Sequence, residues 1–149
     1  MNFKEDVYQS FQQLLAEKVN HLQQLLQELH LSAANETKST AGDKHETALA
    51  MLQLEQENKR QQLKDLQLQQ AVLNKIDPTL GAAEILNGAL VQTDKGYFFM
   101  SVALGKAVIN GITVYALSPQ SPLGAVLRGK LAGDVIELNG NSYKILAVE

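Results

Sequence analysis

The chain reads as an α+β protein, with an N-terminal antiparallel helical hairpin of coiled-coil type followed by a small antiparallel β domain that carries one short helix. Three observations lead there. Two long runs in the first half lack Gly and Pro and repeat their apolar residues on a helical period. The segment between them is rich in small and turn-forming residues, and the second half switches to short apolar runs separated by turn signals. The break falls at Asp77-Pro78, because the ring of Pro78 disfavours helical geometry at Asp77. Residues 1–77 are therefore expected to form the hairpin, with its tip at about 32–46, and residues 78–149 the second domain.

The first helix is expected from Phe3 to Leu31. Tyr8, Leu15, Leu22 and Leu29 recur every seven residues, Val19 and Leu26 fill the alternate seam position, and Val7, Phe11, Leu14 and Leu25 flank them. The second runs from about Glu46 to Ile76, with Leu52, Leu66 and Leu73 at one seam position and Leu63 at the other. Gln56, Lys59 and Gln70 interrupt that seam, and Glu55–Gln62 contains no apolar residue, so a less regular contact is expected there. Between the helices, Ser32 to His45 is long enough only to turn the chain back on itself. At 1.5 Å per residue each helix reaches on the order of 40 Å.

Beyond Pro78 a helical turn is expected around Ala82 to Leu86. Strands follow at Ala89–Thr93, Gly96–Leu104, Ile112–Leu117, Val135–Leu138 and Tyr143–Val148, with turns at Asp94-Lys95-Gly96, Asn110-Gly111 and Asn139-Gly140-Asn141. A short helix is expected at Pro122 to Gly129.

Composition narrows the function. Of 149 residues, 45% are apolar but only 5% aromatic, which suits a small core beside an extended element. A net charge of −3 argues against a protein that wraps nucleic acid with a basic surface. Cysteine is absent, which excludes disulfides, thiolate metal sites and cysteine nucleophiles together. The start, MNFKEDVYQS, lacks a signal-peptide pattern, and no run approaches the roughly 18 apolar residues of a membrane span. A soluble, cytoplasmic monomer without membrane partners is expected.

Ser121, Pro122, Leu123, Gly124, Gly129, Lys130, Gly133 and Asp134 occur in an order that resembles the C-terminal domain of the Gre transcript-cleavage factors of bacteria. At the hairpin end, Gly42, Asp43 and Glu46 match the family's Gly-Asp followed three residues later by Glu. With the helical hairpin preceding the motif set, the resemblance covers nearly the whole chain. It implies an FKBP-like second domain and a transcription elongation factor whose hairpin enters the secondary channel of RNA polymerase. The tip acids then help the polymerase cleave backtracked nascent RNA, and contact with RNA and DNA is indirect. It further implies catalytic and metal-holding roles for Asp43 and Glu46, polymerase docking around Ser121, Pro122, Leu123 and Gly124, and an accessory factor that is no enzyme alone.

The chemistry constrains that reading. Phosphodiester hydrolysis by metal ions needs oxygen ligands for Mg²⁺ and an oriented water. Asp43 and Glu46 are too few to form such a site, so they would act only together with acids of the polymerase. Departures from the pattern keep a non-catalytic secondary-channel regulator open as the alternative, and Lys38, Lys44 and His45 make the tip less acidic than is usual in the family. Thr47, Ala48, Leu49 and Ala50 stand where Gre tips continue Asn-Ala-Glu-Tyr, and Ile109-Asn110-Gly111 replaces a longer acidic connection. A prolyl isomerase would need Tyr97, Phe98, Phe99, Tyr115 and Tyr143 around one pocket, which neighbouring strand residues cannot supply.

Simpler roles stand beside each of these. Asp43 and Glu46 have the spacing of a capping box, and Pro and Gly suit a tight turn at Ser121 to Gly124. Glu36 reads as a solvated loop charge. Lys59, Arg60 and Lys64 read as a solvated face beside Glu55, Glu57 and Asp65, and His30 and His45 lack the close spacing of a metal motif.

Overall fold

A computed structural model describes residues 2–37 and 43–149, and of residues 36, 37 and 43–45 the backbone alone. The fold is α+β as expected. Helices α1 (Phe3–Thr37) and α2 (Asp43–Asn74) precede strands β1 (Leu90–Thr93), β2 (Gly96–Met100), β3 (Gly105–Ile109) and β4 (Ile112–Leu117). Helix α3 (Pro122–Leu127) and strands β5 (Val135–Leu138) and β6 (Asn141–Val148) complete it. The chain forms two compact units, Leu15–Gln70 and Met1–Leu14 with Ala71–Glu149.

Both helices reach further into the expected tip than their expected bounds, while α2 ends at Asn74, two residues short of Ile76. α1 continues through Ser32–Thr37, where Ala33 and Ala34 favour helix and nothing breaks it, and α2 opens at Asp43. Helices of 35 and 32 residues joined through residues 38–42 run antiparallel, since a parallel return would need a connection as long as a helix. Leu15, Val19 and Leu22 are buried on α1. On α2, Leu49, Leu52, Gln56, Lys59, Leu63, Leu66 and Gln70 are covered, at alternating steps of three and four. The polar residues thus stay in register with the seam instead of breaking it. Gln56 is only 7% exposed and accepts a long bond of 3.5 Å from Arg60, while Lys59 lays its stem over the seam and takes its ammonium to Glu55.

The second unit is built on a six-stranded sheet in the order β3-β4-β2-β1-β6-β5. β2 and β4 pair in parallel and every other neighbouring pair is antiparallel. Two hairpins turn on Asn-Gly with both residues at positive φ, 52° and 79° at Asn110-Gly111 and again at Asn139-Gly140, the geometry that matches strand twist. β3 departs from the expected pattern. The run expected as one strand to Leu104 stops at Met100, and Gly105, at φ 75°, opens a separate strand that pairs with β4 at the sheet edge. The helical turn expected around Ala82 to Leu86 is also absent. Ile85 instead exchanges backbone bonds with the chain after α3, donating to Lys130 at 2.9 Å and accepting from Gly129 at 2.7 Å.

Alternation along β2 divides the core. Phe98 and Met100 face a cluster of Ile85, Val91, Leu127, Ile136 and Ile145. Phe99 points the other way, stacking on Phe11 with centroids 6.1 Å apart and meeting the edge of Tyr8 at 6.5 Å, while Phe3 meets Tyr97 at 5.4 Å. The first turns of α1 therefore cover the second face of the sheet. Full burial of aromatic side chains such as Phe11 and Phe99 contributes roughly 1.5–3 kcal/mol each. Tyr8 donates to the Leu73 carbonyl at 3.0 Å, satisfying one of the acceptors left at the end of α2.

After α2, the Asp77 carboxylate accepts from the Thr79 amide at 2.9 Å and the Thr79 hydroxyl at 2.5 Å, the local bonding of an Asx turn. These bonds favour the ionised form and hold Asp77 below the usual carboxylate range. A carboxyl group with a depressed folded pKa stabilises the fold above its unfolded value, and that contribution disappears as pH falls through the folded value. Asp77→Asn is accordingly expected to lower stability at neutral pH. In urea titrations, the gap between variant and parent should close below about pH 4, and a gap independent of pH would refute this account.

Candidate functional site

Asp43 is the first residue of α2, and Glu46 lies one turn on and is exposed. Residues three apart share a helix face, so positions 43 and 46 belong to one side of the opening turn. The amides of that turn lack helical partners and carry the positive end of the helix dipole, which favours acids there whatever else they do. Gly42 and Lys38, and the side chains of Glu36, Asp43, Lys44 and His45, lie outside the described residues. His30 is exposed on α1. No group of three His, Cys, Asp or Glu close enough to hold a metal occurs among the described residues. Two carboxylates offer the hard oxygen donors that Mg²⁺ prefers, but an octahedral ion takes six ligands. The pair can complete a site and cannot constitute one.

The basic stretch of α2 is occupied along its own helix. Lys59 meets Glu55 at 3.4 Å and Arg60 meets Glu57 at 3.7 Å, both at helical spacing, and these exposed pairs contribute little stability. They do cancel much of the local positive field.

The turn at Ser121 is held by its own side-chain bonds. The Ser121 hydroxyl accepts from the Gly124 amide at 3.0 Å and donates to the Ser118 carbonyl at 2.7 Å, so Ser121 caps α3 and ties it to the preceding loop. Pro122 occupies the first helical turn, where a missing N–H costs nothing, and Leu123 packs against the core. Gly124 is buried because the loop crosses it: a Cβ there would stand 2.0 Å from the Ser118 carbonyl oxygen. The rest of the ordered set is equally structural. Gly129 leaves α3 at φ 79° to pair with Ile85, and the Asp134 carboxylate accepts from the Leu131 amide at 2.8 Å.

Of the four docking candidates, Pro122 alone presents an exposed side chain. Ala125, one turn on along the same short helix, is exposed with it, as is Arg128, the residue that caps the helix end. Sequence reasoning that stops at the motif misses them, although helical spacing carried onward from Pro122 would find Ala125. The aromatic residues also divide. Phe98 contacts Tyr115 at 5.7 Å and Tyr143 at 6.1 Å, whereas Tyr97 and Phe99 lie on the opposite face with Phe3 and Phe11. The five therefore do not line one pocket.

Gly124→Ala is expected to destabilise the fold by about 3 kcal/mol, since backbone must move to admit the methyl. Ser121→Ala is expected to cost about 1 kcal/mol, the usual loss for a helix cap. Urea unfolding of both variants checks the order, and a Gly124→Ala protein as stable as its parent would contradict the close approach.

No family model matches the chain, and no curated protein matches it. No helix among the described residues is long and apolar enough to cross a membrane. Among solved structures, that of the transcription factor Gfh1 aligns with 92% of this chain and 92% of its own, at 14% identity and a TM-score of 0.37. The α+β assignment rests on this chain's own helices and strands.

Proposed function

We propose that the protein is a transcription elongation factor that binds RNA polymerase through the secondary channel and stimulates cleavage of backtracked nascent RNA. One conjunction supports this reading. The ordered set from Ser121 to Asp134, which resembles the Gre C-terminal domain, follows a helical hairpin whose second helix opens on Asp43 with Glu46 exposed one turn later. In this role the chain is an accessory to the polymerase and not an enzyme alone. The carboxylates of Asp43 and Glu46 would hold Mg²⁺ jointly with acids of the polymerase. Bound there, the ion supplies an activated water for in-line attack on the RNA phosphodiester. Docking would use the turn at Ser121, Pro122, Leu123 and Gly124, with Pro122 as its exposed contact and Ser121 and Gly124 setting the turn's shape.

A second reading has its own observation. Thr47, Ala48, Leu49 and Ala50 bring no further acid after Glu46, and Leu49 is half-buried on the seam side of α2. A tip of that composition suits a regulator that occupies the secondary channel without promoting cleavage.

Purified, stalled and backtracked elongation complexes separate the two. Added protein is expected to shorten the RNA from its 3′ end, and Asp43→Asn to lower that rate by about tenfold or more while binding to the polymerase persists, as for loss of a metal-site group. Slower nucleotide addition without shortening would instead favour the regulator. Unchanged RNA and unchanged elongation at saturating protein would remove both.

A further inference from the structure

Lys4 is a charged residue that neither reading uses, and the fold has buried it. Its residue surface is only 4% exposed, although it belongs to the first turns of α1, where a lysine ordinarily reaches water. The ammonium donates to the Leu80 carbonyl at 2.7 Å. Two cavities share it as a wall. One of about 540 Å³ is flanked by Val72, Ile76, Leu80, Ala82 and Leu86, and the other of about 360 Å³ by Pro78, Leu80, Val148 and Glu149. Lys4 is thus largely withdrawn from bulk water yet bordered on two sides by open clefts whose walls are mainly apolar, with Asp77 lining one and Glu149 the other.

We propose that Lys4 is a covalent acylation site for short, uncharged acyl groups delivered by thioesters. The amine in its neutral form attacks the thioester carbonyl. A C–N bond forms, the C–S bond breaks, and the thiolate leaves and takes up the proton released by nitrogen. The amide product keeps one N–H, which can remain on the Leu80 carbonyl, and the acyl group occupies cavity space. Burial holds the Lys4 ammonium below the usual lysine value, against the opposing attraction of the Glu149 and Asp77 carboxylates, so the neutral form is more accessible than on an exposed lysine. The same carboxylates select the acyl group, because an anionic one such as succinyl would be brought close to Asp77 and Glu149. Acylation would also remove the cation that these two carboxylates face. The proposal is independent of the function assigned to the hairpin acids.

The test uses the full chain, folded, at about pH 8, where exposed lysines are mostly protonated. It is incubated with the neutral acetyl thioester of N-acetylcysteamine, sampled over time and read by peptide mass mapping. Lys4 is expected to acquire acetyl about tenfold faster than the exposed Lys18, Lys106 and Lys144, and to lose that lead in concentrated urea. With the corresponding succinyl thioester, the preference for Lys4 should fall severalfold. Lys4→Arg should remove this one labelled position and leave the others unchanged. Labelling of Lys4 at or below the rate of the exposed lysines in the folded protein would overturn the proposal. An undiminished lead with succinyl would overturn the charge selection.

Discussion

Phe98 and Phe99 are consecutive in β2 and point to opposite faces of the sheet, so the sheet has two apolar faces and both require a cover. α3 closes the Phe98 face through Leu127, with Leu123 and Val126 beside it. The Phe99 face is closed by Phe11 and Tyr8, which come from the start of the chain. The sheet unit consequently comprises Met1–Leu14 as well as Ala71–Glu149. Periodicity changes near Asp77, whereas the cover of Phe99 comes from residues before Leu15. Periodicity marks where secondary structure changes, while burial marks which segments share a core.

The same distinction explains what is legible in the sequence alone. α1 and α2 are legible because Gly and Pro are absent and the seam repeats by sevens, and both Asn-Gly hairpins because only those residues tolerate positive φ at low cost. β3 is not. It is an edge strand with Lys106 exposed and Val108 70% exposed, so it lacks the alternation that marks a half-buried strand. Ile85 reads as part of a helical turn because its neighbours permit one, but its backbone groups find partners at Gly129 and Lys130, distant in sequence. Lys4 gives no signal at all. Its burial depends on Leu80 and on the segment after α2, and a lysine in an N-terminal helix otherwise reads as solvated.

The candidate sites divide by a related principle. Ser121, Gly124, Gly129, Gly133 and Asp134 are legible as an ordered set, yet each serves the local fold, as a cap, a close approach, positive φ at two helix and turn exits, or a side-chain bond to a backbone amide. Such a set identifies how a chain turns more directly than what it binds. Any partner that docks as proposed would read only what the turn leaves outside, which includes Pro122, Ala125 and Arg128. Mutating the buried members would alter the shape of that face, so a loss of binding in such variants would not by itself assign a contact.

Asp43 and Glu46 pose the converse problem, since they stand at the start of a helix, where the backbone favours an acid without requiring one, and Glu46 is exposed. An acid at a helix start gains about 0.3–1 kcal/mol from the dipole, an amount small enough for another interaction to redirect it. Mg²⁺ gives up its waters reluctantly, and two carboxylates on a solvated turn provide neither the ligand number nor the enclosure to make it do so. The pair should therefore be chemically idle on the free protein. The proposed cleavage chemistry would therefore need a partner that brings more ligands and excludes water, which ties it to the bound state. Under the proposed function, helix capping and metal holding would be successive uses of the same two carboxylates: the dipole favours acids at a helix start in solution, and a metal site better furnished by the polymerase would compete for them on binding.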